Sequence, residues 1–260
     1  MKIDMRFLES VVHVVKGAGA IIEQLAKDGF ETAYKERMDP VTTADHAAND
    51  YLQKHLLELF PEAGWLSEET RDSEERLSKE YVWIVDPIDG TKEFVQRVPQ
   101  YAVSVGLARR GEVILGVVYN PAQDECFSAL QGSGAWLNGE PVQAVHPAKD
   151  PLLVLGSRSE MKRGEFAPFE GKVEVDAVGS IAYKLALIAA GKANCTFSLG
   201  PKNEWDIAAG VALVEAAGGK AADKAGHPFV FNQRDTLTNG IMAATRSDFD
   251  AVLSLIRSVE

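Results

Sequence analysis

The sequence predicts an α/β (α+β) protein built in layers, and three features of the chain carry that prediction. Apolar residues recur at helical spacing over residues 5–27 and again over 44–59. Short β-type runs then crowd together between about residue 64 and residue 139. From about residue 150 strands alternate with helices instead. Clustered strands and alternating strands build different layers, so two sub-domains are expected, residues 1–148 and 149–260, with no internal repeat.

Phe7, Leu8, Val11, Val12, Val15, Ile21, Ile22 and Leu25 form the apolar side of the first helix. Gly17-Ala18-Gly19 inside it fails the dinucleotide fingerprint, because position 22 is Ile22 and no strand precedes it; close helix packing is expected there. Polar residues 28–41 read as a loop or loose hairpin. The second helix carries Ala48, Tyr51, Leu52, Leu56 and Leu59 on one side and stops at Phe60-Pro61. Thr42 and Asp45 stand at its start with capping-box spacing. Asp45 therefore either caps the helix or orients a neighbouring hydroxyl.

A short strand from Gly64 leads to the paired acids Glu68-Glu69, and residues 71–80, nearly all charged or polar, read as a solvated loop or surface helix. Val82-Trp83-Ile84-Val85 is a buried-type strand that runs into Asp86-Pro87-Ile88-Asp89-Gly90-Thr91. Pro87 fixes its own φ and drives Asp86 towards extended backbone; Gly90 permits a sharp turn and a close approach. Two carboxylates three residues apart repel each other unless a cation lies between them. Hard divalent ions such as Mg²⁺ take oxygen ligands of this kind. Taken alone, the same residues also read as an ordinary Asx turn.

Residues 101–118 alternate around Arg109-Arg110-Gly111-Glu112 as a β-hairpin, and a further strand covers 125–129. Asn138-Gly139 is a hairpin-turn signal, while Leu137 breaks a second apparent dinucleotide motif. In the second half, a strand over 152–155 ends at Gly156-Ser157-Arg158-Ser159 and one over 173–178 ends at Gly179-Ser180. A helix through Tyr183, Leu185, Leu187 and Ile188 stops at Gly191; a strand over 193–197 and a helix from Trp205-Asp206 to Gly218-Gly219 follow. A strand over 241–244 and a helix over 248–259 close the chain.

At 260 residues the chain is long enough for a substantial core, and 46% hydrophobic with 25% charged residues is an ordinary soluble composition. A net charge of −11 argues against a nucleic-acid polymer as partner. It leaves room for a small anionic substrate where metal ions invert the local potential. Cys126 and Cys195, far apart in apolar surroundings, read as buried thiols of a reducing compartment, with a disulfide left open at this level. Lys2, Asp4, Arg6 and Glu9 stand where a signal peptide needs an apolar run, and no segment reaches the roughly 20 apolar residues of a membrane span. The expected location is the cytoplasm.

Glu68-Glu69, Asp86-Pro87-Ile88-Asp89-Gly90-Thr91 and Trp205-Asp206-Ile207-Ala208-Ala209-Gly210 belong together. In order and separation they resemble the inositol monophosphatase superfamily of Mg²⁺-dependent, lithium-sensitive phosphomonoesterases, from Asp45 to Gly219. The resemblance implies an αβαβα layered sandwich, often dimeric. It implies that Glu68, Asp86, Asp89 and Asp206 hold metal, with the Ile88 carbonyl as a further ligand and Glu69 an acid near the ions. It implies that Gly90 and Thr91 offer N–H groups to a phosphate and that Thr91 with Asp45 positions and activates the attacking water. Two or three Mg²⁺ ions would acidify a water and neutralise the leaving oxygen, in two-metal sites roughly 4 Å apart. The oxygen-only ligand set favours Mg²⁺ over Zn²⁺, and the five histidines lie outside these motifs. Direct in-line attack by water is expected. An aspartate-nucleophile phosphatase fits poorly, since its second Asp follows at two positions and here the spacing is three; an EF-hand lacks its alternating acids.

The same resemblance bears on the substrate. Gly90-Thr91-Lys92-Glu93-Phe94 and Ser157-Arg158-Ser159 are similar to the 3′(2′),5′-bisphosphate nucleotidase branch, whose substrate is phosphoadenosine phosphate. Typical inositol monophosphatases have Thr-Asn after the Gly-Thr and a glutamate seven residues before the Trp-Asp aspartate, where this chain has Leu199. Candidate substrate-binding residues are Gly90, Thr91, Lys92, Ser157, Arg158, Gly179, Ser180 and Lys202, the last holding a second phosphate or facing solvent. The competing readings are an inositol- or sugar-phosphate phosphatase and a non-catalytic metal-binding regulatory protein.

Overall fold

The computed structural model describes residues 2–35 and 39–259. Helix α1 (Met5–Asp28) starts on Asp4, whose carboxylate accepts the N–H groups of Arg6 and Phe7, and ends at Gly29. Strands β1 (Thr32–Tyr34) and β2 (Pro40–Thr42) pair antiparallel, so the loose hairpin forms; its tip, residues 36–38, lies outside the described residues. Helix α2 (Thr43–Leu59) follows at once and packs along α1. The Gly-Ala-Gly of α1 is a packing device: a Cβ at Gly17 would lie 2.2 Å from the Tyr51 hydroxyl, and one at Gly19 would lie 2.4 Å from the Tyr119 ring.

Seven strands then lie side by side in chain order: β3 (Gly64–Ser67), β4 (Tyr81–Asp89), β5 (Ala102–Arg109), β6 (Glu112–Asn120), β7 (Glu125–Leu130), β8 (Gly134–Leu137) and β9 (Glu140–Val142). A short helix, α3 (Thr91–Val95), separates β4 from β5. Asn138 and Gly139 both take positive φ, 50° and 86°, which a two-residue hairpin turn of the right twist requires. The second sheet is ordered β11-β10-β12-β16-β14, from β10 (Leu152–Gly156), β11 (Val173–Ala177), β12 (Cys195–Ser198), β14 (Lys220–Ala222) and β16 (Ile241–Ala244). Helices α4 (Arg158–Lys162), α5 (Ile181–Ala189), α6 (Glu204–Ala216) and α7 (Phe249–Arg257) accompany it, and β13 (Lys202–Asn203) pairs with β15 (Leu237–Thr238).

The layers follow from three apolar clusters. One joins α1 and α2 to the first sheet, one buries α5 and α6 between the two sheets, and one seats α7 on the outer face of the second. This is the αβαβα sandwich. Helix α6 presses on the first sheet because small residues meet there: a Cβ at Gly116 would stand 2.4 Å from the Ala209 carbonyl oxygen, and one at Gly210 would strike Leu185 of α5 at 2.5 Å. The Ala208-Ala209-Gly210 run thus fixes the depth and angle of the helix whose first turn carries Asp206.

Two local expectations are corrected. The segment 71–80 is not simply solvated: Arg76 is buried, its guanidinium donating to Asp72, to Asn232 Oδ1 at 2.7 Å and to the Gln233 carbonyl at 3.0 Å. The charge pattern there hid an anchor to a loop more than 150 residues away. Strand β4 also does not end at Asp86; it continues to Asp89 across a break in register against β5. Proline has no N–H to give a ladder, so Pro87 sits where the pairing lapses.

Candidate active site

A cleft of about 230 Å³ opens where the C-terminal end of β4, the start of α3, the start of α5 and the start of α6 converge. Glu68, Asp86 and Asp206 each offer a carboxylate oxygen there within 4.8 Å of one another. Glu68 follows the last residue of β3, Asp86 leaves the ladder of β4, and Asp206 lies in the first turn of α6, where its other role is to accept the Asn203 N–H at 3.0 Å. Asp86 accepts the Ile88 N–H at 3.0 Å, the Asx turn expected of this motif, so the turn and the acidic cluster are the same object. Burial first, and then the charges of Glu68, Asp89 and Asp206, push the Asp86 carboxyl well above its ordinary range. Burial followed by Asp89 and Glu68 does the same to Asp206. Burial also raises Glu68.

Asp89 is held from the start of α5. The Ser180 hydroxyl donates to its Oδ2 at 2.5 Å and the Ala182 N–H at 2.6 Å, which works against the burial that raises its pKa. Ser180 takes φ 58°, a region that costs a non-glycine residue on the order of 1–3 kcal/mol, and its hydroxyl also accepts the Tyr183 N–H. Gly179 donates its N–H to Gln100 Oε1 at 2.9 Å.

Thr91 and Asp45 meet as their motifs suggested. The Thr91 hydroxyl lies 3.0 Å from Asp45 Oδ1 and 3.0 Å from the Ile88 carbonyl oxygen. It has a single proton for the two acceptors, so it donates to one of them at a time. Asp45 caps α2 as well: its Oδ2 accepts the Thr42 N–H at 2.7 Å and the Thr42 hydroxyl at 2.6 Å. The capping reading and the hydroxyl-orienting reading both describe this one side chain. Gly90, at φ 94°, stands against the Gln100 carbonyl, 3.1 Å from where its Cβ would be.

Other predicted residues are placed differently. Glu69 is buried behind the cleft, bound by the Lys35 ammonium with His46 at 3.9 Å. Lys92 lines the cleft with its ammonium 2.6 Å from the Asp39 carboxylate. Ser157 lines the cleft and caps α4, accepting the Glu160 N–H at 3.2 Å. Arg158 turns away, donating to the Ala177 carbonyl at 3.1 Å with Glu93 at 3.9 Å. Lys202 does line the cleft, 3.3 Å from Glu160.

Three residues of the cleft went unnoticed in the sequence. Lys35 bridges Glu68, at 2.9 Å, and Glu69. Burial alone would lower its pKa, but the two carboxylates hold it above the usual lysine value. Lys184 is wholly buried on α5, 3.9 Å from Glu160, and burial pushes its ammonium down against the pull of that carboxylate. Glu160 also accepts the Ser198 hydroxyl; burial would raise it, but Lys184 and Lys202 hold it below the ordinary range. A signal for the last two existed: Lys184 interrupts the apolar run Ile181–Ala190, and Ser157 with Glu160 has capping-box spacing.

Comparison with known proteins agrees with this geometry. The profile of the inositol monophosphatase family matches residues 5–259. The chain is 33% identical over 241 residues to "Inositol monophosphatase 3" of Solanum lycopersicum, covering 88% of this chain and 90% of that one. It is 35% identical over 240 residues to the "3′(2′),5′-bisphosphate nucleotidase CysQ" of Escherichia coli, covering 89% and 96%. Among solved structures, an IMPase from Thermotoga maritima superposes with a TM-score of 0.86 at 27% identity, covering 98% of each chain. The extragenic suppressor protein suhB of Bartonella henselae gives 0.83 at 27%, covering 95% and 97%.

Proposed function

This chain belongs to the inositol monophosphatase family and is a phosphoric monoester hydrolase, and we propose that its substrate is a nucleoside 3′,5′-bisphosphate, cleaved by water with Mg²⁺. One observation carries the choice of substrate: the cleft is also lined by two lysines, Lys184 and Lys202, both set against Glu160. Two cationic side chains in the cleft suit a second phosphate group. Leu199 at the position of the inositol-contacting glutamate supports the same reading.

The donor set fits a hard divalent cation. Glu68, Asp86 and Asp206 converge, are raised first by burial and, for Asp86 and Asp206, then by neighbouring carboxylates, and lack histidine or cysteine among them. With Asp89 and the Ile88 carbonyl they would hold the ions. When bound, Mg²⁺ supplies charge neutralisation for the phosphoryl group and acidifies water. The chain's own residues supply the rest. Thr91 would accept a hydrogen bond from the attacking water while donating to Asp45 Oδ1, whose other oxygen is held by Thr42, so that on attack the water's proton would pass to the Thr91 oxygen and the Thr91 proton to Asp45. The Gly90 and Thr91 N–H groups would meet phosphate oxygens, and Ser157 and Lys202 would meet the far end of the substrate. The reading extends to a cytoplasmic location, lithium sensitivity and homodimers, as the resemblance implies; among the described residues no helix is long and apolar enough to cross a membrane.

Relatives named inositol monophosphatase match at similar identity, which supports an inositol- or sugar-phosphate substrate as the second reading. The test is phosphate release with Mg²⁺ from adenosine 3′,5′-bisphosphate against inositol 1-phosphate, each with and without lithium. The bisphosphate is expected to win in kcat/KM by about 100-fold, the worth of two good charge-assisted contacts. An equal or reversed preference overturns the substrate assignment.

A further inference from the structure

Behind the acidic end of the cleft lies a hydrogen-bonded network that none of the motifs includes. Asn49 is buried on α2, one turn after Asp45. Its Oδ1 accepts the Ser67 hydroxyl at 2.7 Å and the Thr70 hydroxyl at 3.3 Å, and its Nδ2 donates to the Thr70 oxygen at 3.0 Å. Trp65 Nε1 donates to the same Thr70 oxygen at 3.2 Å. Ser67 and Thr70 are the residues on either side of Glu68-Glu69, and the Ser67 oxygen in turn accepts the Glu69 N–H at 3.4 Å. One amide therefore grips both ends of the four-residue segment that carries the two glutamates.

We propose that Asn49 is a positioning residue for the metal site: it fixes the Ser67–Thr70 segment against α2 and so sets Glu68 in register with Asp86 and Asp206. The reason is geometric. Beyond the end of β3, the Glu68 N–H to the Val85 carbonyl, at 3.2 Å, continues the strand pairing, but β3 supplies no further ladder bonds after Ser67. On the cleft side Glu68 stands within 4.8 Å of carboxylate oxygens of Asp86 and Asp206, with the Lys35 ammonium at 2.9 Å. The restraint on its position comes from the rear, where the Asn49 amide and the two hydroxyls satisfy one another, Asn49 and Ser67 being buried. Since α2 also carries Asp45, the same helix indexes the ligand Glu68 and the Thr91–Asp45 pair to each other. Partners that orient ligands in this way affect metal affinity rather than the chemistry itself.

The inference rests on the metal reading given above, and the experiment separates the two. Mn²⁺ binding to the full chain is measured by electron paramagnetic resonance of the free ion, for the wild type, Asn49→Ala, Thr70→Val and Asp86→Asn. Alongside it, phosphate release is titrated with Mg²⁺, and Tm is recorded in chelator. Asn49→Ala is expected to weaken Mn²⁺ binding about 10-fold or more and to shift the Mg²⁺ half-saturation by the same factor. Its kcat at saturating Mg²⁺ stays within about threefold and its KM for substrate is unchanged. Thr70→Val, which keeps the shape and removes the hydroxyl, shifts both metal readouts in the same direction by a smaller factor. It also carries the test if Asn49→Ala does not fold. Unchanged Mn²⁺ affinity in the folded variants, whatever their Tm or kcat, overturns the assignment of Asn49. Failure of the wild type to bind Mn²⁺, or retention of binding in Asp86→Asn, overturns the metal reading itself.

Discussion

The two ends of the cleft solve the burial of charge in opposite ways. At one end Glu68, Asp86 and Asp206 crowd within 4.8 Å with little protein to compensate them beyond Lys35. At the other, Glu160 is matched by Lys184, Lys202, the Ser198 hydroxyl and the Ser157 cap. Charges taken out of water cost several kcal/mol each unless they are paired and hydrogen-bonded. The basic end meets that requirement within the chain and keeps a surplus of positive charge. The acidic end does not, which is the arrangement the proposed metal site calls for. A protein that leaves like charges buried and unmatched at the mouth of a cleft is marking a binding site, because folding alone does not reward the arrangement.

The comparison breaks most visibly at Asp206. Asp206→Asn should cut phosphate release by at least about 10²–10³-fold, the scale of losing a principal electrostatic stabiliser. In chelator the same change should stabilise the fold. The sign follows from the raised pKa values: native Asp86 and Asp206 hold protons more tightly than in the unfolded chain, so their favourable contribution is complete below about pH 4 and is lost as pH rises. Metal-free wild type should therefore lose Tm with rising pH, and Asp206→Asn should flatten that loss. Relief of roughly 1 kcal/mol would raise Tm by about 2–4 °C in a chain of this size. A variant less stable than wild type in chelator at pH 8 would contradict the idea that the acidic end is frustrated.

At the basic end Lys184→Met should raise KM for the bisphosphate about 10- to 100-fold, with turnover of a monophosphate within about threefold. Removing one lysine leaves Glu160 short of charge, so Lys184→Met with Glu160→Gln is the companion variant; it should recover stability and not bisphosphate affinity. Equal KM effects on both substrates would mean that Lys184 only supports Glu160.

A smaller effect is expected at Glu204, outside both ends. It is buried, accepts the N–H groups of Asn232 at 2.6 Å and Gln233 at 2.8 Å, and burial pushes its pKa up to about 7. Its share of stability is present below about pH 4.5 and is lost as pH rises through 7, by up to roughly 3 kcal/mol. Thermal melts of Glu204→Gln should be flatter than wild type between those pH values. Identical pH profiles would show that the Arg76 side of this loop compensates its charge.

Much of this protein is legible in one dimension. Helical spacing from Phe7 to Leu25, the Asn138-Gly139 turn and the capping pair Thr42–Asp45 are each decided within a few residues, so local chemistry carries them. The acidic motif at Asp86–Asp89 is legible for the same reason: Pro87, the Asx turn onto Ile88 and Gly90 are local constraints on one stretch of backbone. Residues whose partners are distant in sequence are not. Arg76 looks like one more charge in a polar segment until Asn232 and Gln233 arrive beside it. Lys35 and Asn49 carry no mark of the glutamates or hydroxyls they meet, and Lys184 shows only as a break in an apolar run.

The sequence by itself determined the layered α/β class, through periodicity, and the family, through motifs whose order and separations resemble it. Tertiary structure alone decided which donors converge, since α6 must pack through Ala208, Ala209 and Gly210 to bring Asp206 to Asp86. It also decided that Arg158 turns to the Ala177 carbonyl while Lys184 is buried beside the cleft. Charged side chains reach several ångströms from their backbone, and the direction they take is set by the nearest compensating charge, which only the folded chain supplies.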